Sequence, residues 1–415
     1  MTTIIKPTKT IEEVSSRNTG VLVIFTALTN LADGVTKVAL PLMATMLTAS
    51  PALVAGVSVT LTLPWLLVAL HVGVLVDRAD RRVLLWIADI TRLVVVAALL
   101  AMVLTDGVTL PLLYIGGLTL GIAEVVAQTA ASALIPDAVA RPGRERANAW
   151  VAGAETVCNE FCGPLIGGIL VAGSTAVALG VVFGGYVAGI LVLLLLVGKF
   201  RVEPVWSAKP ASVHEQIVEG LKCLWNEKLL RLMALSLSVL CACWGAWLAL
   251  MPLFATTAMG LDAKGYGIML SALGVGGLMG AVSTTTLNRL FGRRNVMLAD
   301  LIGTFAMVAI PVVTTNLWAV SAGAFFGGLG GTLWTVNSRT ISQHLVPGSM
   351  LGRYSAASRL FSWGAMPIGA ALVGVLAEFF GIRIAFAVFA VCTALLIIPF
   401  ILVVTPARLN AVMHH

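Results

Sequence analysis

Long apolar runs, each of about 20 residues or more and separated only by short polar stretches, fill the chain from end to end, and that pattern leaves few folds open. At a rise of about 1.5 Å per residue, a helix made from any of these runs spans the roughly 30 Å hydrocarbon core of a bilayer. In lipid a helix also satisfies its backbone polar groups internally, which an open sheet cannot do. Composition agrees with a membrane chain: 59% of the 415 residues are hydrophobic and 11% are charged, and the mean hydropathy is +1.00. A water-soluble domain could not bury so much apolar surface. Lys and Arg (26) outnumber Asp and Glu (19), but they cluster between the runs and form no nucleic-acid face, so they read as topology signals. No cleavable leader is expected, because residues 1–19 are polar and the first apolar run is longer than a signal core. The six cysteines follow neither a disulfide nor a zinc spacing.

Transmembrane helices are predicted near 20–47, 51–76, 83–105, 109–136, 146–172 and 175–198, and again near 230–257, 265–288, 295–314, 317–342, 353–378 and 384–405. The expected organisation is a polar segment over 1–19, a bundle of six helices over 20–198, a linker with an amphipathic helix over 199–229, a second such bundle over 230–405, and a tail over 406–415. With both termini cytoplasmic, Lys6, Lys9, Arg17, the Arg78–Arg82 and Arg141–Arg146 clusters, the linker, Arg289–Arg294, Arg353 and Arg408 share the inner side. Only Lys264 and Arg383 then fall outside, and Lys37, Arg92, Arg339 and Arg359 stay within spans. The halves repeat one another. Arg81-Arg82 after the second span matches Arg293-Arg294 after the eighth, Asp89 aligns near Asp300, and Arg146 with Gly163–Gly167 lines up with Arg353 and Ala370–Gly374. The expected fold is therefore all-α, with twelve transmembrane helices in two pseudo-symmetric bundles of six and a cavity between them.

Three motifs carry a resemblance. Gly73-Val-Leu-Val-Asp77-Arg78-Ala-Asp80-Arg81-Arg82 closes the second span on a tight hairpin. There Gly73 would let helices approach closely, and Asp77 sits among arginines whose partners can be exchanged as two halves rock, unless these charges serve topology alone. Gly163-Pro164-Leu-Ile-Gly167-Gly168 in the fifth span combines a helix-bending proline with packing glycines. In the linker, Glu219-Gly220-Leu221, Leu224-Trp225 and Leu229-Leu230-Arg231 fit an amphipathic helix on the membrane surface. Together these stretches resemble the major facilitator superfamily over essentially the whole chain, and the linker resembles its drug and siderophore exporter branch. Asp80 departs from the family glycine, Asn159 stands where an upstream glycine of the second motif belongs, and the fourth-span arginine of the family is absent, with Gly117 and Gly121 at that spacing.

The resemblance implies a secondary transporter of the bacterial cytoplasmic membrane, monomeric and without a cofactor, whose partners are protons, a small-molecule substrate and the lipid bilayer. Proton-driven export of a hydrophobic or cationic compound is the expected activity; export of a siderophore or other secondary metabolite, or lysophospholipid movement, are the other readings. Ionisable groups inside the membrane cost about 2.5–3.5 kcal/mol each at mid-helix, so each is a functional candidate. The candidate proton carriers are Asp33, Glu124, Glu155 and Glu160, with Asp33 first among them; its other reading is an ion pair with Lys37 one turn away. Glu155 and Glu160, about 140° apart on an α-helix, should not both face a cavity. Asp89 and Arg92 read as a structural pair, and Arg359 as a side chain snorkelling to the inner surface. Asn337, Arg339, Trp334 and Trp363 are candidate cavity residues of the second half; Trp244 and Trp247 fit either an aromatic cavity or interface anchors. No Walker segment or nucleophile–base constellation argues for ATP use or for an enzyme.

Overall fold

The computed structural model describes residues 11–198, 213–347, 350–406 and 408–409. Among these residues all regular structure is helical. Helix α1 (Ile11–Leu47) begins ahead of the apolar run. It is followed by α2 (Pro51–Leu67), α3 (Ala69–Arg78), α4 (Arg81–Leu104), α5 (Leu110–Ala138), α6 (Arg144–Glu155), α7 (Gly163–Gly173) and α8 (Thr175–Leu193). The amphipathic helix of the linker is α9 (Val213–Asn226), which packs on α10 and α14 of the second half and buries Leu224 among Leu230, Ala234 and Tyr354. Then come α10 (Lys228–Leu253), α11 (Ala263–Phe291), α12 (Arg293–Val313), α13 (Leu317–Leu345), α14 (Leu351–Ser362), α15 (Ala365–Phe380) and α16 (Ile382–Val403).

Among the described residues, eleven helical stretches are long and apolar enough to cross a membrane. The predicted second span is the exception, being broken at Val68 between α2 and α3. Pro64, one turn earlier, has no N–H to give the helix and weakens it there. Two further spans are interrupted. Between α6 and α7, Thr156–Cys162 winds as a wide π-helical turn, and α14 gives way to α15 at Trp363-Gly364. Side chains such as Val282, Val313, Phe379 and Leu402 are exposed on the outside, which is stable only against lipid.

In the first half, α1 packs on α5, α7 and α8, and α4 on α5 and α8. In the second, α11 and α12 pack on α13, and α10 and α12 on α16. The halves meet where α2 lies along α15 and α7 along α11. One apolar core joins them, with Ala39, Leu40, Met43 and Val54 from the first half and Trp247, Leu250, Phe254 and Phe386 from the second. The contact is close because small residues face each other. A methyl carbon added at Gly168 of α7 would stand 2.9 Å from the Gly267 Cα of α11, and one at Gly374 of α15 would stand 2.8 Å from the Ala55 Cβ of α2. At the rim of this end, Glu378 of α15 accepts hydrogen bonds from Ser50 Oγ (2.7 Å) and Ala52 N (3.2 Å) at the start of α2. A carboxylate at a helix N-terminus is favourably placed against the helix dipole. The halves are thus packed closely at this end, and the opposite end carries Arg81-Arg82 and Arg293-Arg294.

Candidate functional site

A cavity of about 510 Å³ lies between the halves and is lined by α1, α5, α6, the π-helical turn, α7 and α10 to α15. Its ionisable lining is Lys37, Glu155, Glu160, Cys241, Asp300, Arg339, Tyr354 and Arg359, interleaved with Trp244, Trp334 and Trp363. Glu155 and Glu160 share this lining because the turn between them is wide. In a helix whose N–H groups bond five residues back, side chains five apart come round to the same side, and the Gly163 N–H indeed bonds the Cys158 carbonyl. The expectation that only one of them faces a cavity rested on α-helical spacing and is corrected here. No ion pair within 4 Å engages either glutamate among the described residues.

The other two candidate carboxylates are buried within the first half. Asp33 does not pair with Lys37. It accepts a hydrogen bond from the Tyr186 hydroxyl (2.7 Å) and meets Arg92 Nη2 at 3.1 Å, while Arg92 Nη1 donates to Asp89 Oδ1 at 3.0 Å. Arg92 is 1% exposed and joins two acids, so its pairing with Asp89 is only part of its role. Lys37 bonds instead to Glu124 Oε1 (2.8 Å) and Asn159 Oδ1 (2.9 Å). Asn159 Nδ2 reaches Glu124 Oε1 and Asn30 Oδ1, and Gln128 Nε2 reaches the same two oxygens, which closes a four-residue polar network around the lysine. The ammonium of Lys37 also stands 5.5 Å from the ring centre of Trp363, which is stacked on Trp65 at 5.2 Å and so ties α1 and α2 to the second half. A small cavity of about 10 Å³, room for about one water, is bounded by Asn30, Arg92, Gln128 and Glu155 and lies between the buried Asp33–Arg92 pair and the main cavity.

Of the hairpin motif, Asp80 caps α4 by accepting from the N–H groups of Arg82 and Val83, which explains why an acid serves where the resemblance calls for glycine. Arg81 pairs with Asp137 and donates to the Ala133 carbonyl, both at the end of α5. Asp77 and Arg78 lie on α3, but their side chains fall outside the described residues. Gly73 is a correction, because an added methyl carbon would meet nothing within 4 Å. Gly73 faces away from the α3–α5 packing that buries Val72 and Val76, and the close approach expected at it does not occur. The fifth-span motif does pack as expected: Gly163 lies against Gly34 and Gly167 against Val35, both of α1, while Gly168 faces Gly267 and Pro164 lines the cavity.

In the second half, Arg339, Trp334 and Trp363 line the cavity, and so does Arg359, contrary to the snorkelling expectation. Asn337 does not line it. Its carbonyl oxygen accepts from Asn288 at 2.9 Å and its amide donates to the Leu333 carbonyl, so it cross-links α11 and α13. Trp247 is fully buried in the core that joins the halves.

The profile of the transmembrane secretion effector family matches residues 14–412. The chain belongs to that family, within the major facilitator superfamily. Among curated proteins it is similar to the multidrug efflux pump Tap of Mycolicibacterium fortuitum, at 28% identity over 88% of this chain and 90% of the pump. It is also similar to Tap of Mycobacterium tuberculosis, at 27% identity over 92% and 94%. Its fold is shared by a bacterial homologue of the human lysosomal transporter Spinster, solved inward-facing and unoccupied, with TM-score 0.69, 13% identity and coverage of 96% and 98%. A bacterial homologue of the iron transporter ferroportin shares it with TM-score 0.65, 15% identity and coverage of 93% and 98%. This secretion effector is thus a multi-pass membrane transporter of small molecules and not an enzyme. Sequence spacing did not reveal that Asn30, Gln128, Asn159 and Tyr186 hold its buried charges. Such groups look like ordinary polar residues until the packing of α1 on α5, α7 and α8 brings them together. The one signal available was Asn159 in the place of a family glycine.

Proposed function

We propose that this secretion effector exports small hydrophobic, cationic compounds across the cytoplasmic membrane, driven by proton entry and alternating access, with both termini inside. The observation that carries the reading is the cavity: large enough for a drug-sized molecule and lined by two glutamates that no ion pair within 4 Å engages among the described residues. The close contacts of Gly168 with Gly267 and of Gly374 with Ala55 hold one end together, so the reading opens the cavity at the arginine-rich end. Basic ends face the cytoplasm, so the opening is cytoplasmic and cargo enters from the membrane or the cell interior. Glu155 and Glu160 attract the cation, and protons arriving from outside displace it once the halves have rocked. The small cavity beside Glu155 offers a one-water path to Arg92 and thence to Asp33, so the buried pair senses the protonation of the cavity. Lys37 and Glu124 hold α1 to α5 during the movement. One chain lines the whole pathway, so a monomer suffices. A dedicated siderophore or metabolite exporter is the second reading, favoured by Arg339 and Arg359 in the lining, which suit an anionic cargo.

Inside-out vesicles under an imposed proton gradient test the proposal. Ethidium is expected to accumulate, an uncoupler to abolish the accumulation, and Glu160→Gln to slow it by about tenfold or more at equal expression. Accumulation that ignores the gradient, or that is unchanged in Glu160→Gln, contradicts it.

A further inference from the structure

Asp300, on α12, is 1% exposed yet contributes to the cavity wall. Its Oδ1 accepts from Thr304 Oγ1 at 3.3 Å, while its Oδ2 is buried without a hydrogen-bond partner. No lysine or arginine lies within 4 Å of it among the described residues. The repeat makes this unusual. Its counterpart in the first half, Asp89, is neutralised by Arg92 three residues on. Three residues after Asp300 stands Gly303, and no side chain fits there, because an added methyl carbon would stand 2.5 Å from the Phe326 carbonyl oxygen of α13. The first half carries its own counter-ion, and the second half leaves the place empty of one.

The surroundings fit a cation that arrives from outside the protein. Asp300 packs against Gly330 of α13, one turn before Trp334, whose indole N–H is also buried without a partner. Trp244 of α10 packs against Gly331, the next residue along α13, and lines the cavity with Cys241. A carboxylate beside aromatic faces is the setting in which proteins hold ammonium groups. A buried carboxylate without a partner is costly, so whatever supplies the missing charge gains the full strength of a charge-assisted hydrogen bond. Because Asp300 is only 1% exposed in the cavity wall, the group that reaches it is slender: a protonated amine on a short arm, and not the flat ring system that fills the cavity.

We propose that Asp300, with Trp334 and Trp244, forms a second-half subsite that binds the protonated amine of the transported compound. The subsite rests on the reading of the cargo as cationic. It divides the holding of one cargo, since the amine arm takes the counter-ion place left by Gly303 while the rest of the cargo competes with protons at Glu155 and Glu160.

Two matched fluorescent probes test it on the purified full chain in nanodiscs: dansylcadaverine, a primary amine, and dansyl pentylamide, the same molecule without the amine. The parent protein is expected to prefer the amine, and Asp300→Asn to weaken amine binding by about tenfold while leaving the neutral probe unchanged. Asp300→Glu, which keeps the charge, should retain the preference. A merely structural role for Asp300 would alter both probes alike, and that result overturns the subsite. So does an unchanged preference in Asp300→Asn; if Glu160→Gln then removes the preference, the cationic-cargo reading stands without the subsite. If the parent protein shows no preference for the amine, the cargo reading falls and the subsite with it.

Discussion

Replacing Arg92 by Met is expected to cost the folded protein about 3–5 kcal/mol, because it leaves buried carboxylates without their counter-charge. Arg92 meets Asp33 at 3.1 Å and Asp89 at 3.0 Å, and all three are at most 5% exposed. Bulk water does not reach them there, and lipid surrounds the bundle. Methionine keeps much of the volume, so the loss reports charge and not a cavity. The melting temperature of the purified protein in detergent should fall sharply, and Asp33→Asn in the same chain should recover part of the loss by removing one of the two orphaned acids. An unchanged melting temperature in Arg92→Met would show that the pair contributes nothing net. The Tyr186 hydroxyl, which donates to Asp33, cannot substitute for the arginine, since it brings one hydrogen bond and no charge.

Gly168→Leu should have the second largest effect, on the sealed end. The α7 and α11 backbones meet there with only hydrogens between them. Overpacking of this kind costs about 1–3 kcal/mol, and a cost paid only in the sealed form shifts a two-state equilibrium by roughly 5- to 150-fold. Transport should be lost. A cysteine placed at Ser50, which now donates to Glu378 across the halves, should become reactive toward a membrane-impermeant thiol reagent added from outside, above the background of the native cysteines. Unchanged labelling and transport would show that the glycine contact does not hold this end closed.

The fold was legible because its cause is local. Apolar runs of bilayer length specify helices, and the repeat of Arg81-Arg82 and Asp89 in Arg293-Arg294 and Asp300 pairs the halves. What the sequence hid depends on departures from ideal helices and on contacts between distant segments. The break at Val68 is announced only by Pro64, and the wide turn over Thr156–Cys162 carries no clear composition signal, yet the turn decides that Glu155 and Glu160 face the same space. The choice of partners was equally hidden. Asp33 and Lys37, neighbours one turn apart on α1, engage Arg92 on α4 and Glu124 on α5 instead, partners that only tertiary packing brings within reach. Asn337 was misplaced for the opposite reason: a polar residue mid-span was read as lining the cavity, when Asn288 satisfies it between helices.

The central claim is that cargo and protons compete for Glu155 and Glu160, and proton release on cargo binding tests it most directly. Ethidium added at saturation to the purified protein, in weakly buffered detergent solution with a pH indicator, should liberate protons from the parent chain and none from Glu155→Gln/Glu160→Gln. Equal release from the parent and the doubly substituted protein, or no release from the parent, would contradict the account.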